Sequence, residues 1–280
     1  MDQRRSLKEL NLLDKFLFDE AMDDPENVKT MLDIILSQNT KLKHPPQTEK
    51  EQRTSTDNRQ IRLDVYAIDE DDVIYEVEAQ KENTRNLPKR SRLYQGIIDS
   101  KLLPPGAADF NLLNEVLVVM ITSFDLFGYG LYRYTFQMKC EEIPELKLDD
   151  GATRIFLNTR GEHPELVSSE LIELLKYMQH STDEVSGACE SKRIQEMHRR
   201  VCQIRASEKT EVKYMQTWEE KILIKQEGIA EGEKKLLMSL IKKKLAKNYS
   251  AEQISEMLEI DISEVENIIK KIQNEKAAEG

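Results

Sequence analysis

Carboxylates alternate with apolar residues in the segment Ile61 to Gln80, whose sequence is IRLDVYAIDEDDVIYEVEAQ. The alternation has a period of two and predicts two β-strands joined by a turn, each with one apolar and one polar face. Asp64 falls on the polar face of the first strand, and Glu76, Glu78 and Gln80 fall on that of the second. This segment, the acidic hairpin, therefore gathers several acids on one surface.

The register of the acidic hairpin decides which carboxylates face each other. A five-residue loop between Ile68 and Ile74 would place Asp64 opposite Glu78, with Cβ atoms about 5 Å apart. A three-residue loop would instead place Glu76 opposite Asp64. The sequence leaves both registers open, and the first is favoured because it keeps the end of the second strand near Asp64.

Two facing carboxylates repel each other and need a neutralising partner. A proton or Arg62 would serve, and so would a divalent cation, because oxygen ligands from two carboxylates suit Mg²⁺. Outward acids are also common on solvated sheets, so the pattern alone favours ordinary exposed strands over a metal site.

Longer blocks around the acidic hairpin carry a family resemblance. In order, the blocks are FLFDEAMDDPENVKTMLDIIL, RLDVYAID, YEVEAQ, LPKRSRLYQGIID, LVVMITSFDLFGYGLYRYTF and IFLNTRG. Together they resemble the Rpn family of recombination-promoting nucleases, also called PD-(D/E)XK nuclease family putative transposases. The resemblance runs from about Leu7 to about Gly161 and resumes more weakly in the tail.

The resemblance implies a fold and a reaction centre. It implies an α/β, restriction-endonuclease-like PD-(D/E)XK core with a mixed central sheet flanked by helices, followed by an all-α C-terminal extension. Asp64, Glu78 and Gln80 fall on the family's catalytic positions, with Asp64 and Glu78 as ligands of Mg²⁺, or of Mn²⁺ or Ca²⁺. Gln80 stands where the superfamily usually has Lys, a replacement that the family shares. An uncharged amide can orient a water only by hydrogen bonds.

Two further acids are accessory candidates. Glu76 faces the same side as the catalytic positions and would act as an outer ligand or general base, or else as a solvated neighbour. Glu20 is the candidate for the acidic residue that superfamily members often take from an early helix, although surface exposure explains it as well.

A helix is predicted from Leu87 to Leu103, with Pro88 in its first turn. Arg90, Arg92 and Tyr94 are its candidate contacts to DNA phosphate. The alternative for Arg90 is an ion pair with Glu76 or Asp64. The predicted buried stripe of this helix comprises Leu93, Ile97 and Ile98.

Composition limits the mode of DNA binding and the compartment. The chain has 280 residues and a formal net charge of −11, which argues against avid general DNA binding because such affinity rests on cations.

The cysteines, at 140, 189 and 202, include no C-x-x-C pair and predict reduced thiols in a cytoplasmic protein. Cys189, His198 and Cys202 match no zinc-module spacing. An apolar leader and a membrane span are not expected.

Three regions are predicted along the chain. Residues 1–162 form the nuclease-like domain, 163–232 a helical extension and linker, and 233–280 a small helical module. Within the extension a basic cluster is a second candidate for phosphate contact, although a solvated helix face is the favoured interpretation; it comprises Lys192, Arg193, Arg199, Arg200 and Arg205. A break is expected at Glu227–Gly232, and Ser250 and Ser263 are expected to cap the last two helices.

The predicted function is metal-dependent hydrolysis of DNA phosphodiester bonds, linked to recombination, mobile elements or defence against foreign DNA. DNA is the expected partner, and homo-oligomers are expected to form through the helical C-terminal region. The alternative is a catalytically degenerate nuclease fold that acts as a DNA-binding or self-assembling module.

Overall fold

A computed structural model of the chain describes residues 5–52 and 61–278. The chain divides into two compact units, Met1–Val212 and Lys213–Gly280. This division differs from the predicted boundaries at 162 and 232, because helices that follow residue 162 pack against helices near the N-terminus.

The first unit is built on a mixed six-stranded sheet, which confirms the predicted α/β class with a mixed central sheet. Its spatial order is β1-β2-β3-β4-β6-β5, with parallel pairing of β3 with β4 and of β4 with β6. The other neighbours are antiparallel. The strands are β1 Gln47–Gln52, β2 Ile61–Ile68, β3 Ile74–Gln80, β4 Val116–Thr122, β5 Arg133–Phe136 and β6 Ala152–Asn158.

The acidic hairpin is formed by β2 and β3 in the favoured register. Ile68 pairs with Ile74 and Tyr66 with Glu76, which confirms the five-residue loop, and the same register places Asp64 across from Glu78. The Asp69 carboxylate fixes the loop by accepting hydrogen bonds from the Asp71 and Val73 N–H groups and the Tyr75 hydroxyl.

The predicted solvated face of the acidic hairpin is buried, so that part of the prediction is wrong. Asp64, Glu76 and Glu78 are 4 %, 0 % and 2 % exposed. The reason is the position of β3 between two neighbours inside the sheet, with the helix after it packed over this face. Tyr94 of that helix joins Tyr66 of β2 in one apolar cluster.

Helices on and around the sheet carry the rest of the first unit. They are α1 Lys15–Met22, α2 Pro25–Leu36, α3 Leu87–Asp99, α4 Ser169–Gln179, α5 Asp183–Ala188 and α6 Lys192–Ala206. The crossover between the parallel strands β3 and β4 is made by α3, which starts at Leu87 as predicted. Leu93 of α3 is exposed, contrary to the predicted buried stripe, whereas Ile97 and Ile98 are buried.

The basic cluster of α6 is largely engaged within the first unit. Arg193 pairs with Glu170 and Asp33. Arg205 donates to the carbonyl oxygens of Ser181 and Leu10. These contacts show that much of the cluster holds α6 in place.

The second unit is helical, which confirms the expected α-helical C-terminal region. Its helices are α7 Glu208–Leu245, most of which lies in this unit, α8 Ala251–Leu258 and α9 Ile262–Ala278. Because α7 continues through Glu227–Gly232, the break expected there is wrong. Ser250 caps α8 in a capping box with Gln253, as predicted. Ser263 lies inside α9, and the Asp261 carboxylate caps that helix instead.

Among residues 5–52 and 61–278, helices that combine the length and the apolar character needed to cross a membrane are absent.

Candidate metal and nucleic-acid site

A pocket of about 990 Å³ opens where β3 ends and the first residues of α1 and α3 meet it. The described lining includes six basic side chains, Arg5, Lys15, Arg62, Lys81, Lys89 and Arg90, and four acidic ones, Asp14, Asp64, Glu78 and Glu82. This hairpin pocket therefore carries a local excess of positive charge in a chain whose net charge is −11.

Asp64 meets a lysine that the sequence analysis did not identify. Lys15, the first residue of α1, places Nζ 2.6 Å from Asp64 Oδ1 and 3.0 Å from Asp19 Oδ2. Burial alone would lower the pKa of Lys15, but the Asp64 and Asp19 carboxylates outweigh it and raise the pKa. Lys15 is thus held as an ammonium ion against the first predicted catalytic carboxylate.

Glu78 and Gln80 share one partner, Arg90. The guanidinium Nη2 pairs with Glu78 Oε1, and Nη1 donates to Gln80 Oε1 over 3.0 Å. Arg90 Nε donates to the Tyr94 hydroxyl over 2.8 Å, so three donors of one guanidinium are used. Gln80 Nε2 donates to the Glu82 carbonyl over 2.8 Å. The ion pair predicted for this arginine exists, but its partner is Glu78 rather than Glu76 or Asp64.

Glu76 lies beneath these residues as a buried acid. Both of its carboxyl oxygens are without a hydrogen-bond partner among the described residues. Burial, and secondarily the Asp64 charge, raises the pKa of Glu76 well above its usual value, against a smaller opposing effect of Arg90. Such a group is stable without partners only when it is protonated or when a cation approaches it.

Asp14 organises the opposite wall of the hairpin pocket. Its carboxylate accepts hydrogen bonds from Lys81 Nζ over 2.8 Å, from Arg5 and from the Asn11 N–H. Burial alone would raise the pKa of Asp14, but these hydrogen bonds outweigh it and lower the pKa. The residue after Gln80 is thereby tied to the segment that precedes α1.

The predicted site residues are distributed unequally around the hairpin pocket. Asp64, Glu78, Gln80, Arg90 and Tyr94 line it, and Glu76 lies buried below. Glu20 and Arg92 are absent from the described lining, although α1, which contains Glu20, does reach the pocket through Lys15.

The donors present fit a hard divalent cation. Glu78 Oε2 is buried and without a hydrogen-bond partner among the described residues, because Arg90 engages only the other oxygen. Asp64 is across the hairpin in the same pocket, and oxygen ligands of this kind suit Mg²⁺, Mn²⁺ or Ca²⁺. Binding there requires Lys15 and Arg90 to give up part of their present contacts.

The start of α3 adds a feature that favours anions. Asn86 and Lys89 lie at this helix end and line the hairpin pocket. The N–H groups of a helix N-terminus attract phosphate and carboxylate groups. The pocket therefore combines buried acids, cationic side chains and a helix N-terminus.

The residues that sequence reasoning missed share one property. Lys15, Asp14 and Arg5 lie 49 or more residues before Asp64, and only the packing of α1 near the sheet brings them there. Lys81 was detectable, because it directly follows Gln80 and is a cation next to the unusual amide.

Comparison with protein-family models, curated proteins and solved structures found no significant match to this chain.

Proposed function

We propose that this chain is a metal-dependent DNA endonuclease of the PD-(D/E)XK type, in which Asp64 and Glu78 hold a divalent cation. The observation that carries the proposal is the convergence of these two buried carboxylates in a pocket rimmed by basic side chains. A phosphodiester needs cations around it, and two buried carboxylates in one pocket can hold a divalent cation in exchange for their present partners Lys15 and Arg90.

Three side chains of the hairpin pocket, Arg90, Lys89 and Gln80, have roles beside the metal in the proposed reaction. A bound Mg²⁺ would supply positive charge for the scissile phosphate and lower the pKa of a water molecule. Arg90 and Lys89 would bind the DNA backbone beside the α3 N-terminus. Gln80 would orient the attacking water once its amide is released from Arg90 and the Glu82 carbonyl.

Lys15 is proposed to supply the ammonium group that Gln80 lacks. It comes from α1 rather than from β3, yet its Nζ is in contact with Asp64. In this position the ammonium would stabilise negative charge on the phosphate oxygens as the bond breaks.

The proposed fold is the PD-(D/E)XK fold itself, and the proposed setting is DNA recombination, mobile elements or defence. Support comes from the order of an early helix, the acidic hairpin, the crossover helix α3 and the strand β4. Self-association through the helical C-terminal region is also proposed.

The direct test is nicking of supercoiled plasmid by purified protein with Mg²⁺. Asp64→Asn should lose nicking, whereas Asp71→Asn, an exposed change of the same charge in the loop of the same hairpin, should retain it. Equal nicking by wild type and Asp64→Asn would refute the assignment.

A catalytically degenerate binding module is the second candidate. It is favoured by the ion pairs of Lys15 with Asp64 and of Arg90 with Glu78, which already neutralise both acids. It predicts that the acidic hairpin binds neither Mg²⁺ nor Mn²⁺ in calorimetry. A signal that disappears in Glu78→Gln would exclude it.

A further inference from the structure

A second cluster of ligating side chains lies on α5 and α6, and none of its members lines the hairpin pocket. His198 Nε2 lies 2.7 Å from Asp183 Oδ1 and 3.4 Å from Cys202 Sγ. The remaining distance, from Cys202 Sγ to Asp183 Oδ1, is 3.9 Å. We propose that this α5–α6 cluster is a binding site for a zinc-class divalent cation.

The local sequence places these three side chains together. His198 and Cys202 are four residues apart on α6, so they lie on one helix face. Two ligands at this spacing on one helix can bind the same metal ion. Asp183 is the first residue of α5, which Thr182 caps, and it faces them across the turn between the helices.

Cys189 is not part of the arrangement. Its thiol donates to the Val185 carbonyl over 3.2 Å. In the sequence, Cys189, His198 and Cys202 match no zinc-module spacing. The third ligating side chain is Asp183 instead of Cys189. Asp183 precedes His198 by 15 residues, a separation that matches no metal-binding sequence motif.

The separations match a tetrahedral centre closely enough for small movements to complete it. Bond lengths of zinc to sulfur, nitrogen and oxygen give separations between ligand atoms of about 3.4 to 3.6 Å. The sulfur–nitrogen distance fits already, and the sulfur–oxygen distance needs a small contraction. The nitrogen–oxygen distance must lengthen as its hydrogen bond gives way. Asp183 can make that movement because its side chain is 96 % exposed.

His198 is oriented by a buried neighbour. Its side chain is 9 % exposed, and Nδ1 lies 3.0 Å from the hydroxyl of fully buried Tyr177 on α4. When Nδ1–H donates to the Tyr177 oxygen, the lone pair of Nε2 faces Asp183 and Cys202. A hydrogen bond to the second ring nitrogen is the usual support of a metal-binding histidine.

The donor set selects the class of cation. Imidazole and thiolate favour zinc-like transition metals, whereas Mg²⁺ and Ca²⁺ prefer oxygen ligands alone. Binding forms a metal–sulfur bond, and the thiol proton of Cys202 is released to solvent. Three protein ligands leave a fourth position for water. The bound cation would link α5 to α6.

Cobalt and zinc titration of the full chain tests the proposal. Wild type and Cys140→Ser, a change at a thiol outside the cluster with similar partial burial, should each bind Co²⁺ with a thiolate charge-transfer band that saturates at one Co²⁺ per chain. Cys202→Ser should lose the band, and Tyr177→Phe should bind Zn²⁺ about 10- to 100-fold more weakly. Asp183→Asn, at an exposed position that should not affect folding, should also bind more weakly.

Three results would overturn the proposal. The first is the absence of Co²⁺ and Zn²⁺ binding in the wild type, and the second is a charge-transfer band that persists in Cys202→Ser. The third is unchanged Zn²⁺ affinity in Asp183→Asn. Circular dichroism spectra that match the wild type would show that each variant is folded.

Discussion

Lys15 Nζ lies 2.6 Å from Asp64 Oδ1, so α1 brings an ammonium group to the first carboxylate of the acidic hairpin. The sheet alone offers only Gln80 at the position that follows Glu78 by two residues. The cationic group at the proposed reaction centre therefore comes from a different element than the superfamily pattern implies.

The contact between Lys15 and Asp64 leads to the first prediction. Lys15→Gln should lower the plasmid-nicking rate by about 10²- to 10³-fold, as for the loss of one charge-stabilising donor. Lys15→Arg should recover part of the rate. Lys43→Gln is the matched control, because Lys43 pairs with Asp72 over 2.5 Å outside the hairpin pocket. An unchanged rate in Lys15→Gln would remove Lys15 from the mechanism.

Arg90 leads to a prediction with two opposite effects. Arg90 pairs with Glu78, so in the proposed site it would compete with the cation. Arg90→Gln should therefore tighten Mg²⁺ binding measured by calorimetry and weaken DNA binding. Without metal the variant should lose stability, because removing one partner of a buried ion pair costs about 3 to 5 kcal/mol. Added Mg²⁺ should restore much of the loss.

Arg92→Gln is the control for that experiment, because Arg92 is exposed on the same helix and absent from the described pocket lining. It should leave Mg²⁺ affinity and stability unchanged. Loss of Mg²⁺ binding in Arg90→Gln would contradict the competition.

The third prediction concerns Glu76 and pH. Burial, aided by the Asp64 charge, raises the pKa of Glu76 in the folded chain, so the folded state holds a proton that the unfolded state has released above about pH 4.3. The free energy of unfolding should therefore fall by about 1.4 kcal/mol per pH unit from there up to the folded pKa.

Glu76→Gln cannot lose this proton, so its stability should fall less with rising pH than that of the wild type. Denaturant unfolding at several pH values between 5 and 8 measures the difference. Parallel pH profiles for the two proteins would contradict the buried, protonated acid.

Self-association is the fourth prediction. Met215, Ile229 and Leu236 are exposed apolar residues of α7 spaced by multiples of seven, as on one side of a packed helix. If α7 mediates oligomers, Ile229→Lys should lower the mass measured by light scattering. Gln226→Lys adds the same charge at a polar position of α7 and should not. Equal masses for both variants would contradict this interface.

The sequence was sufficient for the two strands of the acidic hairpin, because their side chains alternate with a period of two, and it limited the register to two loop lengths. The sequence was insufficient to predict that Asp64, Glu76 and Glu78 are buried. The same alternation of polar and apolar residues occurs in a strand with a solvated face and in a strand covered by a helix. The cover over Glu76 comes from Tyr94 and its neighbours on α3, whose packing depends on the parallel pairing of β3 with β4.

Contacts between segments far apart in the chain also could not be predicted from the sequence. Lys15 and Asp183 carry no local pattern that marks them as partners of Asp64 and His198. The continuity of α7 through Gly228 and Gly232 was missed for a different reason. Each glycine costs a helix only about 1 kcal/mol, which a long helix can tolerate.

The most direct test of the central claim compares Glu78→Gln with Glu82→Gln in the plasmid assay at fixed Mg²⁺. Both acids line the hairpin pocket and both changes remove one charge, but only Glu78 is proposed as a metal ligand. Glu78→Gln should lose at least about 10²-fold in nicking rate, and Glu82→Gln should keep near wild-type activity. Equal rates for Glu78→Gln and the wild type would contradict the claim.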